Sequence, residues 1–397
     1  MDLRTINFSS FKGFDDATIE HDDIALINQL LNSRNDIDYS GKVVELEKAF
    51  SNYIGVEHTY AFFKGRQALS AIIKALELKK NDEIIVPGYT CIVVANSIIN
   101  NGLKPVYCDI ELDTYGPELE SIKQLVTANT KAIITHHLYG LVSRDYGKIL
   151  EFAERNNYYI IDDCTQATGA TYNNKKLGYY SDAAFYSLQH SKVISCGDGG
   201  IATTNDYKIG EKLKSVQIRS KNVSSTTITN TLRTVKRIYY FNQNRFLGRL
   251  VFNYYKIMGW RDPDNISNDE IDGKPVYDDT YKLPNSLATL ALKQLKKIDY
   301  FNEKRKNNSK LWSQWSAKFD LSIPLVIQNS KPIFLRYPIM INNGVKEKIF
   351  QELGKDLQIG YWFSEYLDPG PIERQPDPKI LPNATQAIKN IINLPCL

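Results

Sequence analysis

The sequence has 397 residues, which at about 150 residues per unit suits two domains better than one or four. Apolar residues at 43% and charged residues at 24%, with 22 Gly and 15 Pro, exclude wholesale disorder and a collagen-like repeat. The 49 Lys and Arg against 45 Asp and Glu leave a net charge of +4, too near neutrality for a nucleic-acid binder. Cysteines at 91, 108, 164, 196 and 396 form no paired ligand motif, so no metal site and no disulfide framework is expected. The opening MDLRTINFSSFKGFDD lacks the charged region and apolar run of a signal peptide, and no apolar stretch approaches a spanning helix. A cytoplasmic protein of enzyme size is expected.

In chain order, Ala25 to Ser33 and Val43 to Gly55 carry helical patterning, the second ended by a glycine suited to a C-cap. Gly65 to Lys80 repeats the signal, with Leu69, Ile72, Ile73 and Leu76 on one side. DEIIVP is a short apolar strand. Helical and strand patterns then alternate: Thr90 to Asn100 helical, KPVYCDI a strand, Pro117 to Val126 helical, KAIITHHLYG a strand, Tyr146 to Asn156 helical, YYIIDD a strand. This is the signature of stacked βα units with a largely parallel sheet. AAFYSL and GGIATT predict two further strands, added antiparallel.

Composition then changes. Between Glu211 and Asp262 there is no acidic residue but there are 11 basic ones, interleaved with aromatics such as Tyr239, Tyr240 and Phe241. Three readings stand: a packed face with solvated cations, a rim attracting a diphosphate, or a patch near a membrane surface. The acidic, turn-rich stretch RDPDNISNDEIDGKPVYDD reads as a linker. A first domain over 1–270 and a smaller α/β domain over 271–397 are therefore expected. In the second, Ser286 to Tyr300 and Gly344 to Leu353 are helical candidates and KPIFLRYPI a strand candidate.

In a parallel α/β sheet, ligands sit beyond the carboxyl ends of the strands. Gly65, Tyr89, His137, Asp163 and Gln166 occupy such positions. Asp163 ends an apolar run and needs a cationic or protonated partner if buried. Paired with Asp162 it serves equally well as a magnesium ligand or as a structural carboxylate. Lys192, in SLQHSKVISCGDGG, suits a Schiff base if its pKa is depressed, and otherwise reads as a surface lysine in a hairpin. Gly65 opens a helix whose unpaired N–H groups can hold an anion, with Ser187 adding a hydroxyl; a plain strand-to-helix turn is the alternative.

The motifs GKVVELEKAFSNYIG, KGRQAL, DEIIVPGYT, GLKPVYCDIELDTY, TKAIITHHLYG, IIDDCTQATGA, KLGYYSDAAFYSLQHSK and GDGGIATTND stand in one order over residues 35–206, with a weaker match, LATLALKQLKKID, further on. In these the sequence resembles the pyridoxal-phosphate aminotransferases of nucleotide-linked keto-sugars, the family named after DegT, DnrJ, EryC and StrS. The resemblance implies the fold type I transferase architecture, a homodimer with a large α/β cofactor domain of mostly parallel sheet and a smaller C-terminal α/β domain. It implies pyridoxal 5'-phosphate attached at Lys192, which also carries protons during catalysis. It implies Asp163 against the pyridinium nitrogen, Gln166 on the phenolic oxygen, and Ser187 with Gly65 and Arg66 on the phosphate.

Three positions depart from the family pattern. Arg66 stands in place of the usual threonine, and Cys91 where an aromatic commonly stacks on the ring. Thr280 stands where the second subunit lends an asparagine to the phosphate. Lys192 itself separates the chain from the related dehydratases, which carry histidine there. The activity implied by the resemblance is transfer of an amino group from glutamate to a keto-sugar, nucleotide-linked as in that family, in surface polysaccharide or amino-sugar biosynthesis. A lysine-retaining sugar dehydratase or eliminase and a cofactor-free scaffold are the alternatives.

Overall fold

Short runs of Ile, Val and Ala, each closed by glycine, proline or a polar residue, build the central sheet in a computed structural model. The structure describes residues 17–32, 41–243, 271, 280–319, 321–341, 359–360, 362–368 and 375–397. The first helices are α1 (His21–Asn32), α2 (Gly41–Ile54), α3 (Gly65–Ala75), α4 (Ile92–Asn100), α5 (Leu119–Leu125), α6 (Tyr146–Asn156), α7 (Tyr207–Arg219) and α8 (Ser225–Gln243). Between them run β1 (His58–Phe62), β2 (Glu83–Pro87), β3 (Thr90–Cys91), β4 (Lys104–Cys108), β5 (Thr130–His136), β6 (Tyr159–Asp163), β7 (Thr171–Tyr172), β8 (Lys175–Lys176), β9 (Ala183–Ser187) and β10 (Gly200–Thr204). The C-terminal part supplies α9 (Asn285–Leu295), α10 (Ile298–Lys318), β11 (Ser330–Lys331), β12 (Arg336–Met340), β13 (Leu367–Asp368), α11 (Pro382–Asn390) and β14 (Ile391–Pro395).

Seven strands form one sheet in the order β1-β10-β9-β6-β5-β2-β4. All neighbours from β9 to β4 are parallel, and β10 runs antiparallel to both β9 and β1, as the sequence predicts for GGIATT, whereas AAFYSL, also expected antiparallel, forms β9 parallel to β6. Burial on both faces follows the two-residue period of a strand. Ile84 and Val86 of β2 pack with Leu69 and Ile72 of α3, Ile98 of α4 and Leu213 of α7. Ile85 between them packs with Ile133, Ile149 and Ile160 on the α5 and α6 side.

The predicted helices fall where their apolar spacing places them, with differences at the ends. α3 stops at Ala75 rather than Lys80, because Glu77 takes a left-handed φ of 52° that no helix continues through. The run predicted from Ser286 to Tyr300 is two helices, broken at Lys296 and Lys297. Lys297 is pinned there to α1 by Asp22 and Asp23 at 2.6 and 3.0 Å. The expected boundary near 270 and the helix candidate Gly344 to Leu353 lie outside the described residues. Leu287, Leu290 and Ala291 of α9 pack into the same core as α1 and α2. A second core gathers Trp312 and Trp315 of α10, Tyr337 and Ile339 of β12, and Ile392 and Leu394 of β14, which pairs antiparallel with β12.

Of the basic stretch, the described part forms α7 and α8. Ile228, Leu232, Val235 and Ile238 of α8 are buried, while Arg233 and Tyr240 face outward. Among the described residues no helix is long and apolar enough to cross a membrane.

Candidate active site

The carboxyl ends of β5, β6 and β9 and the start of α3 enclose a cleft. Its lining includes Gly65, Arg66, Cys91, Asp163, Gln166, Ser187 and Lys192, seven of the eight residues expected from the sequence. Register explains the grouping. Asp163 ends β6 between His136 of β5 and Phe185 of β9, and Ser187 ends β9 beside Gly200 of β10, which in turn faces Phe62 of β1. The chain leaving β1 therefore delivers Gly65 to Ser187. A Cβ on Gly65 would stand 3.0 Å from the Ser187 Cβ and 3.3 Å from its hydroxyl. Gly200 lets the two segments approach this closely, since a Cβ there would lie 2.2 Å from the Lys64 carbonyl oxygen. The result is a concave corner rimmed by the first amides of an 11-residue helix and the Ser187 hydroxyl, with Arg66 also lining the cleft, a set that suits a phosphate.

Asp163 is 3% exposed. Its Oδ1 accepts from the Thr165 backbone N–H at 3.0 Å and the Thr165 hydroxyl at 2.7 Å, so the carboxylate plane is fixed. Gln166 is held the same way. Its Oε1 accepts from the Tyr139 backbone N–H at 2.8 Å, which commits the carbonyl and turns the amide's donor side elsewhere. Tyr139 reaches that position with a left-handed φ of 60°.

Lys192 sits in the 189–197 loop between β9 and β10, its amide donating to the Gln189 carbonyl at 3.1 Å. Its Nζ lies 4.6 Å from the centroid of Trp362, a ring that also carries the Arg336 guanidinium at 3.7 Å. The loop is braced from behind. Gly197 at φ +92° faces Thr231 and Val235 of α8, and Val193, Ile194 and Cys196 share a core with that helix. None of the described cations of α7 and α8 lines the cleft of this chain.

Asp162 and Asp163 do not act as a pair. Strand alternation turns Asp162 to the opposite side, where Tyr146 and the Gly178 amide bond it at 2.7 and 3.0 Å, Thr135 bonds it as well, and His137 Nε2 stands 3.5 Å away. Burial alone would raise its pKa, yet His137 and the two hydroxyls hold it below the usual carboxylate range. His137 is thus part of a buried network and not of the cleft. Tyr89 is also buried beneath it, its hydroxyl accepting from the Phe363 N–H at 3.0 Å. Thr280 lies outside the cleft of its own chain, its hydroxyl 2.6 Å from that of Ser220.

His136, Trp362 and Phe363 are among the cleft residues absent from the sequence reading. His136, one position before the candidate His137, lines the cleft at 2% exposure. Burial pushes its pKa down to about 4, against the pull of Asp163 and with the push of His137 and Lys192. The KAIITH run that ends at it was the available signal. Trp362 and Phe363 supply aromatic surface where Cys91 supplies little. They arrive from the C-terminal part, in a stretch without periodicity.

Comparison with known proteins agrees with this geometry. A GDP-perosamine synthase of Caulobacter vibrioides is 41% identical over 172 residues, 43% of this chain and 46% of that protein. A dTDP-3-amino-3,6-dideoxy-alpha-D-galactopyranose transaminase of Aneurinibacillus thermoaerophilus is 36% identical over 214 residues, 54% of this chain and 56% of that protein. The chain thus spans about half the length of these relatives. The crystal structure of an aminotransferase from Psychrobacter cryohalolentis superposes with a TM-score of 0.73 at 22% identity, over 95% of this chain and 92% of that one, which shows the shared fold. The model of the DegT/DnrJ/EryC1/StrS aminotransferase family matches residues 17–397, and the chain belongs to that family.

Proposed function

We propose that this protein is a pyridoxal-phosphate-dependent aminotransferase that moves an amino group from glutamate to a nucleotide-linked keto-sugar. The observation that carries the reading is the convergence of Lys192, Asp163, Gln166 and the Gly65–Ser187 corner in one cleft. The residues present fit the cofactor. Glycine at position 65 lets α3 start against Ser187, where a Cβ would stand 3.0 Å from the Ser187 Cβ, the carboxylate of Asp163 is immobilised by Thr165, and Lys192 supplies an amine in the same cleft.

When bound, pyridoxal phosphate supplies an aldehyde that joins an amine with loss of water and a ring that takes up the electron pair left at the amino acid's α-carbon. The chain's own residues divide the remaining work. Ser187, Arg66 and the first amides of α3 bind the phosphate. Asp163 holds a proton at the pyridine nitrogen through its negative charge, and Thr165 keeps that carboxylate from rotating away. Gln166 presents its amide donors to the phenolic oxygen because Tyr139 occupies its carbonyl. Lys192 Nζ carries the proton released from the donor's α-carbon. Trp362 and Phe363 exclude water from the ring. A homodimer that brings Thr280 near the partner's phosphate belongs to the same proposal, as do a cytoplasmic location and a division into domains over 1–270 and 271–397, with α9 of the second packed on the core of the first. The names of the nucleotide-sugar relatives support the acceptor class.

The test is direct. Protein loaded with pyridoxal phosphate is reduced with borohydride and digested, and the cofactor mass is expected on the peptide containing Lys192. The same protein, given glutamate and GDP-, dTDP- and UDP-linked keto-sugars, is expected to yield an aminated sugar by mass analysis. Fixation at another lysine refutes the site, and a dehydrated product without nitrogen identifies an eliminase instead.

A further inference from the structure

Helix α10 reaches both segments that carry the cleft's polar groups. Arg305, 1% exposed, donates from Nη2 to the Val193 carbonyl at 2.7 Å and from Nη1 to Asn302 Oδ1 at 2.8 Å. Val193 directly follows Lys192. Asn302 in turn donates to the Thr168 carbonyl at 3.2 Å, in the segment that carries Asp163, Thr165 and Gln166. Gly169, at φ +98°, permits that approach, because a Cβ there would lie 2.6 Å from Asn302 Nδ2 and 2.5 Å from the Tyr53 hydroxyl. A single helical turn thereby ties the amine-bearing loop to the carboxylate-bearing one.

Packing alone gives no reason for an arginine here. Its Nε has no hydrogen-bond partner, and among the described residues no carboxylate contributes to its electrostatic surroundings. Burial pushes the guanidinium down to about 10, which still leaves it charged at neutral pH. A buried charge without a counter-ion is costly, and a neutral side chain of similar length would fill the space at lower cost. What such a side chain lacks is the fork that grips two carbonyl oxygens in a fixed relation. Arg305 also lines, with Ser191, Lys192 and Arg336, a small cavity next to the lysine.

We propose that Arg305 is a positioning residue for Lys192, holding the Val193 carbonyl while Asn302 fixes the Asp163–Gln166 segment to the same frame. The inference rests on the reading of Lys192 as the amine that links the cofactor. It predicts a separation between covalent and non-covalent capture. Pyridoxal phosphate needs its aldehyde carbon within reach of Nζ, which condenses with it and releases one water. Pyridoxamine phosphate carries an amine in place of the aldehyde and uses the ring and phosphate contacts alone.

Affinities for both compounds are measured by titration on wild type, Arg305→Met and Arg305→Lys, with thermal unfolding of each cofactor-free protein as a control for folding. Arg305→Met is expected to lower pyridoxal phosphate affinity about ten-fold more than pyridoxamine phosphate affinity, the scale of one lost charge-assisted hydrogen bond. Arg305→Lys, which keeps a charged donor, is expected to recover part of that gap. Equal losses for the two compounds, or none, overturn the inference, and should Arg305→Met fail to fold, the same criterion applies to Arg305→Lys. Wild-type protein that captures neither compound overturns the proposed function instead, so the two failures are distinguishable.

Discussion

Gly200→Ala tests how the sheet builds the phosphate corner. The new Cβ would sit 2.2 Å from the Lys64 carbonyl oxygen, 2.3 Å from its carbon and 2.6 Å from the Gly65 nitrogen. All three are backbone atoms, so no rotamer change relieves the contact, and the 63–65 segment has to retreat by about 1 Å to reach ordinary van der Waals separation. Gly200 itself cannot give way easily, because it is registered to Phe62 on one side and Ser187 on the other. Overpacking of this kind costs about 1–3 kcal/mol. The same retreat pulls the Gly65 amide from Ser187, so pyridoxamine phosphate affinity is expected to fall at least about ten-fold, or ~1.4 kcal/mol. Urea denaturation of the cofactor-free protein and ligand titration measure the two effects separately. Gly41→Ala is the control: a Cβ there meets nothing within 4 Å at the start of α2, and it is expected to be neutral or to stabilise by up to about 1 kcal/mol. If Gly200→Ala behaves like Gly41→Ala in both assays, the sheet does not set the corner's geometry.

Three further outcomes are expected. Lys192→Ala abolishes transamination and borohydride fixation while leaving thermal unfolding of the cofactor-free protein nearly unchanged, since this half-buried side chain contributes little apolar packing; residual fixation elsewhere counts against the site. Asp163→Asn keeps measurable pyridoxamine phosphate binding but slows the glutamate half-reaction by about 100-fold or more, as expected when a charge that stabilises the reacting state is removed; near-normal rates mean the carboxylate is structural. His136 concerns pH. Its pKa is depressed from 6.5 to about 4 by burial, so its stabilising contribution is fully present above pH 6.5 and lost as pH falls through about 4. The size is about 3 kcal/mol. His136→Gln should flatten the acid limb of a stability–pH curve measured by urea unfolding, and an unchanged limb shows that another group dominates it.

The βα alternation was legible because each strand of the parallel sheet is a short apolar run and each helix carries a 3.6-residue apolar stripe. The cleft residues were legible for a different reason. Lys192, Asp163, Gln166 and Ser187 stand at motif spacings, and strand ends deliver them to one place. What the sequence withheld was anything fixed by side-chain direction or by long-range packing. Whether His136 or His137 faces the cleft depends on where β5 ends its alternation, a matter of one residue. Trp362, Phe363 and Arg305 come from segments remote in sequence, and no local pattern ties them to Lys192. The break between α9 and α10 was hidden because Lys296 and Lys297 are good helix formers, and the break is held by ion pairs of Lys297 with α1.

The pairing of β1 with β10 has a further consequence for how the protein reaches its native state. β1 is synthesised early, yet its hydrogen-bonding partner arrives only after β2, β4, β5, β6 and β9 have been made. Closing so long a loop carries an entropic penalty and slows folding, and until closure the edge of β10 remains open to intermolecular pairing. The corner formed by Gly65 and Ser187 exists only once that closure is complete, because Gly200 is what brings the two together. A phosphate-bearing ligand that binds there selects the closed state and stabilises it by mass action. Cofactor supply during expression is therefore expected to set how much of the chain escapes aggregation, before any catalysis takes place.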